Sequence, residues 1–452
     1  MKISSLLFTT IILIMPLWLC AQPLPETGTL KFSLTEARQY ALDNSPILLN
    51  SARDVDIAKK RIWETIATGL PQGEVNGSYS YSPELAGLTQ VFTGGDTTGG
   101  GGGNPFGFDI NPEDLKTNFF LTGQATLLLF NGQYIVGLKA SRIYADLSVL
   151  ANTKSRIGID QSITVTYFTS LVAREYSDIL DSTLQTIQKT LHETEQLYNN
   201  GFAESTDVDQ LRILVSNIKT NLSVARRQIN LMDRLLKFQM GIPIDQSVIL
   251  TDQIVPLIET LNMEAGNLDT FQIENNVDYQ LLTTQEKLMH MNMQAQKALF
   301  LPTLAAFYQR YLDLDNNFFN DQSVNTFGVS LNFPVFSSGQ RIAQVAQRKL
   351  EYLKAQTNKQ MGEESLLIQY ETAISDFLAA KEIFTMQKES RDLSLRIYQQ
   401  SIIKFTEGMG SSLDLNQTQS QYFETQGSYY SALLSFVSSK SRLESLLANS
   451  TN

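Results

Sequence analysis

The feature that constrains this chain most is a seven-residue spacing of apolar side chains that begins at Val208. Steps of three and four alternate over four heptads, through Leu211, Val215, Ile218, Leu222, Ala225, Ile229, Met232 and Leu236. A strict heptad spacing predicts a left-handed coiled coil, because it keeps one apolar seam facing a partner helix. A more polar seam follows from Leu415 to Leu446. The stretch 136–198 has no proline, and as one helix it would be about 95 Å long at ~1.5 Å per residue.

The same plan is written twice along the chain. Gly201 and Asp207 recur 207 residues later as Gly408 and Asp414, and Leu70-Pro71 recurs as Leu301-Pro302. Only the first copy holds the glycine run 99–103. Self-similarity at this spacing predicts an internal duplication. We expect a signal peptide at 1–21, a first repeat at 22–240, an equatorial linker at 241–268 and a second repeat at 269–448.

Each repeat is expected to combine helices with two strands. The patterns predict a short helix near the start of the first repeat and further helices at about 135–200, 207–240, 269–300, 340–405 and 413–447. They predict strands at about 73–82, 117–130, 303–312 and 325–336. The predicted fold class is therefore mainly α with a membrane β part: long antiparallel coiled coils and four strands per chain.

The four strands alternate apolar and polar residues, although the third does so less cleanly. In the second strand, Phe119, Leu121, Gly123, Ala125, Leu127 and Leu129 oppose Asn118, Thr122, Gln124 and Thr126. Segments of about ten residues with this alternation are typical of membrane barrels, and an antiparallel sheet in a soluble domain is the alternative. Four strands cannot close a barrel, since the smallest have about eight. A membrane barrel would have to be shared between chains.

The N-terminus indicates secretion. Lys2 precedes an apolar run from Leu6 to Leu19, which is too short to cross a bilayer and is followed by a small residue, Ala21. This pattern is typical of a cleaved signal peptide. Lipid attachment at Cys20 is the alternative, but it needs a small residue where Leu19 stands.

Composition excludes several classes of function. The net charge of −11 and the lack of a basic stripe argue against nucleic acid as a partner. His192 and His290 are the only histidines, too few for an imidazole metal site or a hydrolytic triad. The glycine run lacks the Gly-Lys-Ser/Thr ending of a phosphate loop. We expect no catalysis and no cofactor.

Taken in order, these motifs resemble the TolC-type outer-membrane efflux proteins. The shared plan is a short helix, a Leu-Pro strand, a second strand, Phe-x-Gly or Phe-x-x-Gly, a very long helix, a Gly-x₅-Asp turn and another long helix. The segment from Ser33 to Pro46 is also similar to the first helix of that family, with a capping box from Ser33 to Glu36.

The resemblance implies a homotrimer in the Gram-negative outer membrane. Three chains would share a twelve-stranded β-barrel in outer-membrane lipid. Their long antiparallel coiled coils would form an α-barrel that continues into the periplasm, where an adaptor links it to an inner-membrane pump. The chain would be a passive duct of an efflux or type I secretion system, exporting small molecules or polypeptides. The alternative is a secreted coiled-coil scaffold or adhesin with an antiparallel sheet.

The resemblance also places a gate and an adaptor-docking tip at the two helix turns. The implied tip residues are Gly201, Thr206, Asp207, Gly408, Leu413, Asp414 and Gln417. Glycines suit a left-handed helix end, and Ser, Thr and Asp suit a helix N-cap. Plain capping is therefore one interpretation of Asp207 and Asp414; a ring of three Asp414 carboxylates at the pore constriction is the other. The chain departs from strongly gated members, which carry a second aspartate at the position of Gln417 and often a basic residue at that of Gly410.

Overall fold

A computed structural model describes residues 29–81, 117–260, 271–313 and 324–448. The predicted signal peptide, Cys20, the glycine run and residues 261–268 of the predicted linker lie outside the described residues. The elements of the first half are β1 (Leu30–Phe32), α1 (Leu34–Asn44), α2 (Pro46–Ala67), β2 (Gln72–Tyr81), β3 (Thr117–Asn131), α3 (Gly132–Asn199) and α4 (Ser205–Met240). Those of the second are β4 (Val248–Leu250), α5 (Ile254–Thr260), a 3₁₀ turn (Ile273–Asn275), α6 (Val277–Ala298), β5 (Thr303–Asp313), β6 (Val324–Asn332), α7 (Gln340–Thr406) and α8 (Ser412–Leu447).

Two helical hairpins dominate the described chain. Helix α3 has 68 residues and α7 has 67, while α4 and α8 have 36 each. The lengths agree in pairs, as a duplicated chain predicts. At about 1.5 Å per residue, α3 and α7 are each about 100 Å long.

The predicted coiled-coil seams face the interior of these hairpins. In α4 the buried seam residues are Val208, Leu211, Val215, Ile218, Leu222, Ala225 and Leu236, while Ile229 and Met232 are half-buried. The α8 seam buries Leu415, Tyr422, Tyr429, Ala432, Phe436 and Leu443. Its aromatic rings stack with those of α7, for example Tyr422 on Tyr398 with centroids 5.5 Å apart. The coiled-coil prediction is confirmed.

The ends of the short helices follow local sequence signals. The Ser33 hydroxyl accepts from the Glu36 backbone N–H at 3.3 Å, and Glu36 accepts in return from the Ser33 N–H at 2.8 Å, which confirms the capping box. Helix α6 begins at Val277, several residues after the predicted 269, because the Asn276 side chain caps it.

Hydrogen bonds around Asp252 and Tyr167 hold the N-terminal segment of the described chain in place. Strands β1 and β4 pair in parallel, and the Asp252 carboxylate accepts from the Leu34 backbone N–H at 2.7 Å and from the Tyr167 hydroxyl at 3.0 Å. Tyr167 is fully buried, and its hydroxyl also lies 3.0 Å from the Phe32 carbonyl oxygen. These bonds join the start of α1 to the middle of α3.

The remaining strands form one antiparallel sheet in the order β2-β3-β5-β6. Strands β3 and β5 have a neighbour on each side, whereas β2 and β6 each leave one edge unpaired within the described chain. Strand β6 ends at Asn332 rather than near 336. Pro334 has no backbone N–H to donate to a ladder, which accounts for the earlier end.

Of the described helices, none is both long enough and apolar enough to span a membrane.

Candidate functional site

The register of the four-stranded sheet collects the apolar residues of all strands on one face. Tyr79 lies opposite Phe119 and Gly77 opposite Leu121. Across the sheet the same face continues through Ala125, Leu127, Leu304, Ala306, Tyr308, Phe327, Val329 and Leu331. Many of these side chains are exposed in the single chain, with Phe327 at 78% and Leu331 at 66%. An apolar face this large is unusual for a surface in water.

The opposite face is mainly polar. It carries Glu74, Asn76, Ser78, Thr122, Gln124, Thr126, Gln309, Thr326 and Ser330. Strand β5 breaks the alternation with Phe307 and Tyr311 on this polar face. The Phe307 ring lies directly over Gly328, where an added Cβ would come within 2.5 Å of it. This packing explains why the third strand alternates poorly: its aromatic rings cover a glycine or pair with Phe120 at 5.5 Å.

A bulge at the helix end of β3 interrupts the predicted alternation. The pairing with β5 shifts between Leu128 and Phe130, so that Phe130 lies opposite Leu304 on the apolar face. An extra residue on one strand of a pair is the usual geometry of a β-bulge. The sequence alone places Leu129 in the regular apolar series of β3. In the structure, Leu129 is instead the extra residue of the bulge and has no paired residue in β5.

The second candidate site is the pair of helix turns that end the hairpins. Gly201 has φ +81° and Gly408 has φ +74°. The next residue donates its backbone N–H to a carbonyl five residues earlier in both turns: Phe202 to Leu197 at 2.8 Å and Met409 to Lys404 at 2.8 Å. The two turns therefore share one left-handed C-terminal geometry, the Schellman motif, which glycine adopts without strain. The expected role of both glycines in turn geometry agrees with the structure.

The capping interpretation of the two aspartates is wrong. Glu204 is the N-cap of α4 and makes no side-chain cap bond, while the Ser411 hydroxyl caps α8 by accepting the Asp414 N–H at 3.1 Å. Asp207 and Asp414 stand in the first turn, three residues after the N-cap. Their carboxylates are favourably placed against the helix dipole there, but they do not cap the helix.

The two aspartates have different partners. The Ser412 hydroxyl donates to Asp207 Oδ1 at 2.5 Å and so connects the two hairpins. The Ser401 hydroxyl donates to Asp414 Oδ2 at 3.2 Å within the second hairpin. Asp207 is half-buried, whereas Asp414 is exposed. Sequence reasoning offered Ser412 only as a possible helix cap and did not single out Ser401. The signal for Ser401 is that it lies one heptad after the buried Ser394.

The other predicted tip residues lie at the surface. The Thr206 hydroxyl donates to Glu204 at 3.0 Å, and Gln417 is exposed. Leu413 is 63% exposed, and beside the two glycines Phe202 is 82% and Met409 75% exposed. Three large apolar side chains therefore stand open to solvent at the ends of the hairpins.

A charged cluster that the sequence did not single out lies where the hairpins pack together. Burial raises the pKa of the Glu175 carboxyl in α3, while the neighbouring Tyr430 hydroxyl and the Arg391 charge act to lower it. The Arg391 guanidinium lies 4.3 Å from the centre of the Tyr429 ring, a cation–π distance. Burial also raises the pKa of Tyr430. Glu175 resembles any other acidic residue of a solvated helix until the packing of α3 against α8 is known.

The histidines are placed as surface or packing residues. His192 is exposed, and the His290 ring meets the Tyr352 ring edge-on at 5.0 Å. Within the described ranges, no group of three or more His, Cys, Asp or Glu side chains is arranged to hold a metal ion.

Comparisons with known proteins match this architecture. Residues 273–449 match the model of a family described as outer membrane efflux protein. A comparison with curated protein sequences gives no match. The family match over residues 273–449 confirms the resemblance inferred from the motifs, and the description of that family agrees with the predicted location in the outer membrane.

Solved structures of outer-membrane channels share the fold over most of their length. CusC has a TM-score of 0.69 at 15% identity, with 91% of this chain and 92% of that one covered. VceC from Vibrio cholerae has a TM-score of 0.67 at 15% identity, with coverage of 92% and 96%. The CmeC channel of Campylobacter jejuni has a TM-score of 0.69 at 16% identity, with coverage of 93% and 87%. At these identities the likeness shows the shared fold.

Proposed function

We propose that this chain, which carries an outer membrane efflux protein domain, is one protomer of a trimeric duct that exports substrates across the outer membrane. The observation that carries the proposal is the four-stranded sheet with one apolar face and two unpaired edges. In lipid, an unpaired strand edge leaves backbone N–H and C=O groups without hydrogen bonds, so a β-sheet can span the membrane only as a closed barrel. Three copies would supply twelve strands, enough to enclose a channel.

The two hairpins extend this barrel into the periplasm. Helices about 100 Å long reach far beyond a bilayer whose hydrocarbon is about 30 Å thick. Three pairs of hairpins would surround a continuous passage, and their exposed polar residues would face water on both sides. The duct itself performs no chemistry; transport is driven by a partner.

The hairpin tips are the proposed docking and gating region. Phe202, Met409 and Leu413 are exposed there although they are large and apolar, which is typical of a surface that a protein partner covers. A periplasmic adaptor that connects the tip to an inner-membrane pump is the proposed partner. The cargo, small molecules or polypeptides, is selected by that pump.

Cross-linking tests the shared barrel directly. Cysteine at Asn76 on the β2 edge, combined in turn with cysteine at Thr326 or Ser330 on β6, should give a covalent ladder ending at a trimer in outer-membrane fractions. Cysteine at Thr122 of β3 is the matched control, because both neighbours of β3 lie in its own chain. A water-soluble monomer with no ladder would instead support a secreted scaffold.

Photocrosslinking tests the tip. A photoreactive side chain at Phe202 or Leu413 should capture an adaptor in cells, whereas the same group at Ile213, 54% exposed on the shaft of α4, should capture much less. Equal capture at all three positions would contradict docking at the tip.

A further inference from the structure

The apolar face of the sheet carries one guanidinium group among its described residues. Arg310 stands in β5 between Tyr308 and Leu312 on that face, opposite Gly123 of β3 and Asn325 of β6. Each of the other paired positions around it on this face is apolar, aromatic or glycine. An ionised group facing lipid is costly unless it reaches an interface or a partner. In lipid, the Arg310 guanidinium would therefore need a polar ligand or the polar headgroup layer within its reach.

The neighbouring amide is oriented by a hydrogen bond. The Tyr308 hydroxyl donates to Asn325 Oδ1 at 2.9 Å. An asparagine side chain has one oxygen acceptor and two N–H donors. Since the oxygen is engaged by Tyr308, the Asn325 Nδ2 donors remain available on the face that also carries its cross-strand partner, Arg310.

The pair lacks an acceptor within the described chain. No ion pair or hydrogen bond between described residues includes the Arg310 guanidinium, and its side chain is exposed. On the other side, Gly123 leaves the surface open, because a Cβ there would meet nothing within 4 Å. Guanidinium and amide donors around an open space are suited to an oxyanion, and arginine is well matched to phosphate oxygens.

The position of Arg310 and Asn325 along the strands indicates which phosphate they would contact. Strand β5 leaves the helical part at Thr303, and Arg310 follows seven residues later. At about 3.3 Å per residue and a strand tilt of ~40°, the pair lies roughly 18 Å above the start of the strand, in the outer part of an apolar band ~25 Å tall. From there a long arginine side chain can extend to the headgroup level.

We propose that Arg310 and Asn325 bind the phosphate of an outer-leaflet lipid, with Tyr308 positioning the asparagine. The inference rests on the proposed barrel, because only there does this face meet lipid. The ligand is a phosphate carried by a lipid rather than a free one, since the surrounding surface is apolar and would contact acyl chains. The site would fix a lipid against each protomer between β3 and β6.

Native mass spectrometry of the trimer in nanodiscs tests the site. The probe is lipopolysaccharide titrated into phosphatidylcholine discs. The fraction of trimer that retains bound lipopolysaccharide at each concentration gives the affinity. Arg310→Gln should weaken binding about tenfold or more, since a hydrogen bond to a charged group contributes ~1.4 kcal/mol or more, equivalent to a factor of ten. Arg348→Gln is the matched control, because Arg348 lies on α7 and already pairs with Glu351 at 2.7 Å.

Two further variants separate positioning from direct contact. Asn325→Ala should weaken retention, and Tyr308→Phe should do so to a smaller extent. Tyr308→Phe should have no added effect in the Asn325→Ala background if the hydroxyl acts only through the amide. Independent effects of the two changes would contradict the positioning role.

The outcomes distinguish this site from the barrel itself. If Arg310→Gln retains lipopolysaccharide as well as Arg348→Gln does, the lipid site is wrong while the barrel stands. If inorganic phosphate displaces lipopolysaccharide at equal phosphate concentration, the assignment to a lipid is overturned. If the wild-type chain does not enter discs as a trimer, the proposed function fails.

Discussion

The hydroxyl of Ser412 donates to the carboxylate of Asp207 at 2.5 Å, and the two residues belong to different helical hairpins. Ser412 is 4% exposed and Asp207 is half-buried. This hydrogen bond links the two hairpins at their tips. It gives the first aspartate a role distinct from that of Asp414, although the two are equivalent in sequence.

Removal of the Ser412 hydroxyl should loosen the tip. Ser412→Ala leaves the Asp207 carboxylate without this donor, at a cost of about 1–2 kcal/mol. We expect a lower unfolding temperature and more frequent spontaneous opening in planar-bilayer recordings. Ser411→Ala is the comparison, since loss of the α8 cap should cost about 1 kcal/mol without breaking the link between hairpins. Equal opening in the two variants would contradict a link that restrains the tip.

Neutralising Asp414 should change ion selectivity. Its carboxylate is exposed, and among the described residues it accepts a hydrogen bond from the Ser401 hydroxyl of its own hairpin. Three such charges near a pore axis would attract cations, so Asp414→Asn should reduce cation selectivity and abolish block by divalent cations from the periplasmic side. Folding should be preserved, because Ser411 rather than Asp414 caps the helix. Unchanged block would show that the carboxylate does not line the constriction.

Asp207→Asn is the matched control for this experiment. The asparagine keeps an acceptor for Ser412, and Asp207 is turned toward the other hairpin. We therefore expect little change in cation block. A larger loss of block in Asp207→Asn than in Asp414→Asn would reverse the assignment of the two aspartates.

Arginine should be tolerated very differently at two adjacent positions of β3. Leu127 lies opposite Ala306 on the apolar face, and Thr126 lies opposite Gln72 on the polar face. Leu127→Arg would place a charge in lipid at a cost of ~2–4 kcal/mol near the midplane, whereas Thr126→Arg would face water. Yield of trimer in outer-membrane fractions measures the difference. If both variants assemble equally well, the apolar face does not meet lipid.

The Glu175 carboxyl should make stability depend on pH. Burial raises its pKa in the folded chain, so the folded state binds this proton more readily than the unfolded state. The buried charge therefore lowers the free energy of unfolding at a pH above the pKa of Glu175 in the folded chain. This loss of stability is relieved as the pH falls toward the ordinary glutamate pKa of about 4.3. Glu175→Gln should therefore raise the unfolding temperature at neutral pH, with a difference that disappears in acid.

The control for Glu175 is an exposed glutamate of the same coiled-coil region. Glu382→Gln on α7 removes a solvated charge and should leave the unfolding temperature nearly unchanged at either pH. A Glu175→Gln variant less stable than wild type at neutral pH would mean that the attraction of Arg391 outweighs the burial of the carboxylate.

The sequence by itself determined the long helices, the four strands of the antiparallel sheet and most of their bounds, but not β1, β4 or α5. Heptad spacing in α4 is a local property that selects one buried stripe whatever the partner, so Leu211, Ile218 and Leu222 could be assigned to the seam beforehand. Alternation in β3 likewise fixes which residues share a face. Gly201 and Gly408 were identifiable because few other residues adopt a positive φ without strain.

Only the tertiary structure decided which residues meet across the chain. The bond from Ser412 to Asp207 joins positions 205 apart, and no periodicity reports such a contact. The place of Arg310 beside Asn325 depends on the register between β5 and β6. The bulge after Leu128 depends on how β3 pairs with β5. Glu175 gains its raised pKa from helices packed around it. Local patterns specify which face of an element is apolar, but register and burial arise from long-range packing, which one segment does not encode.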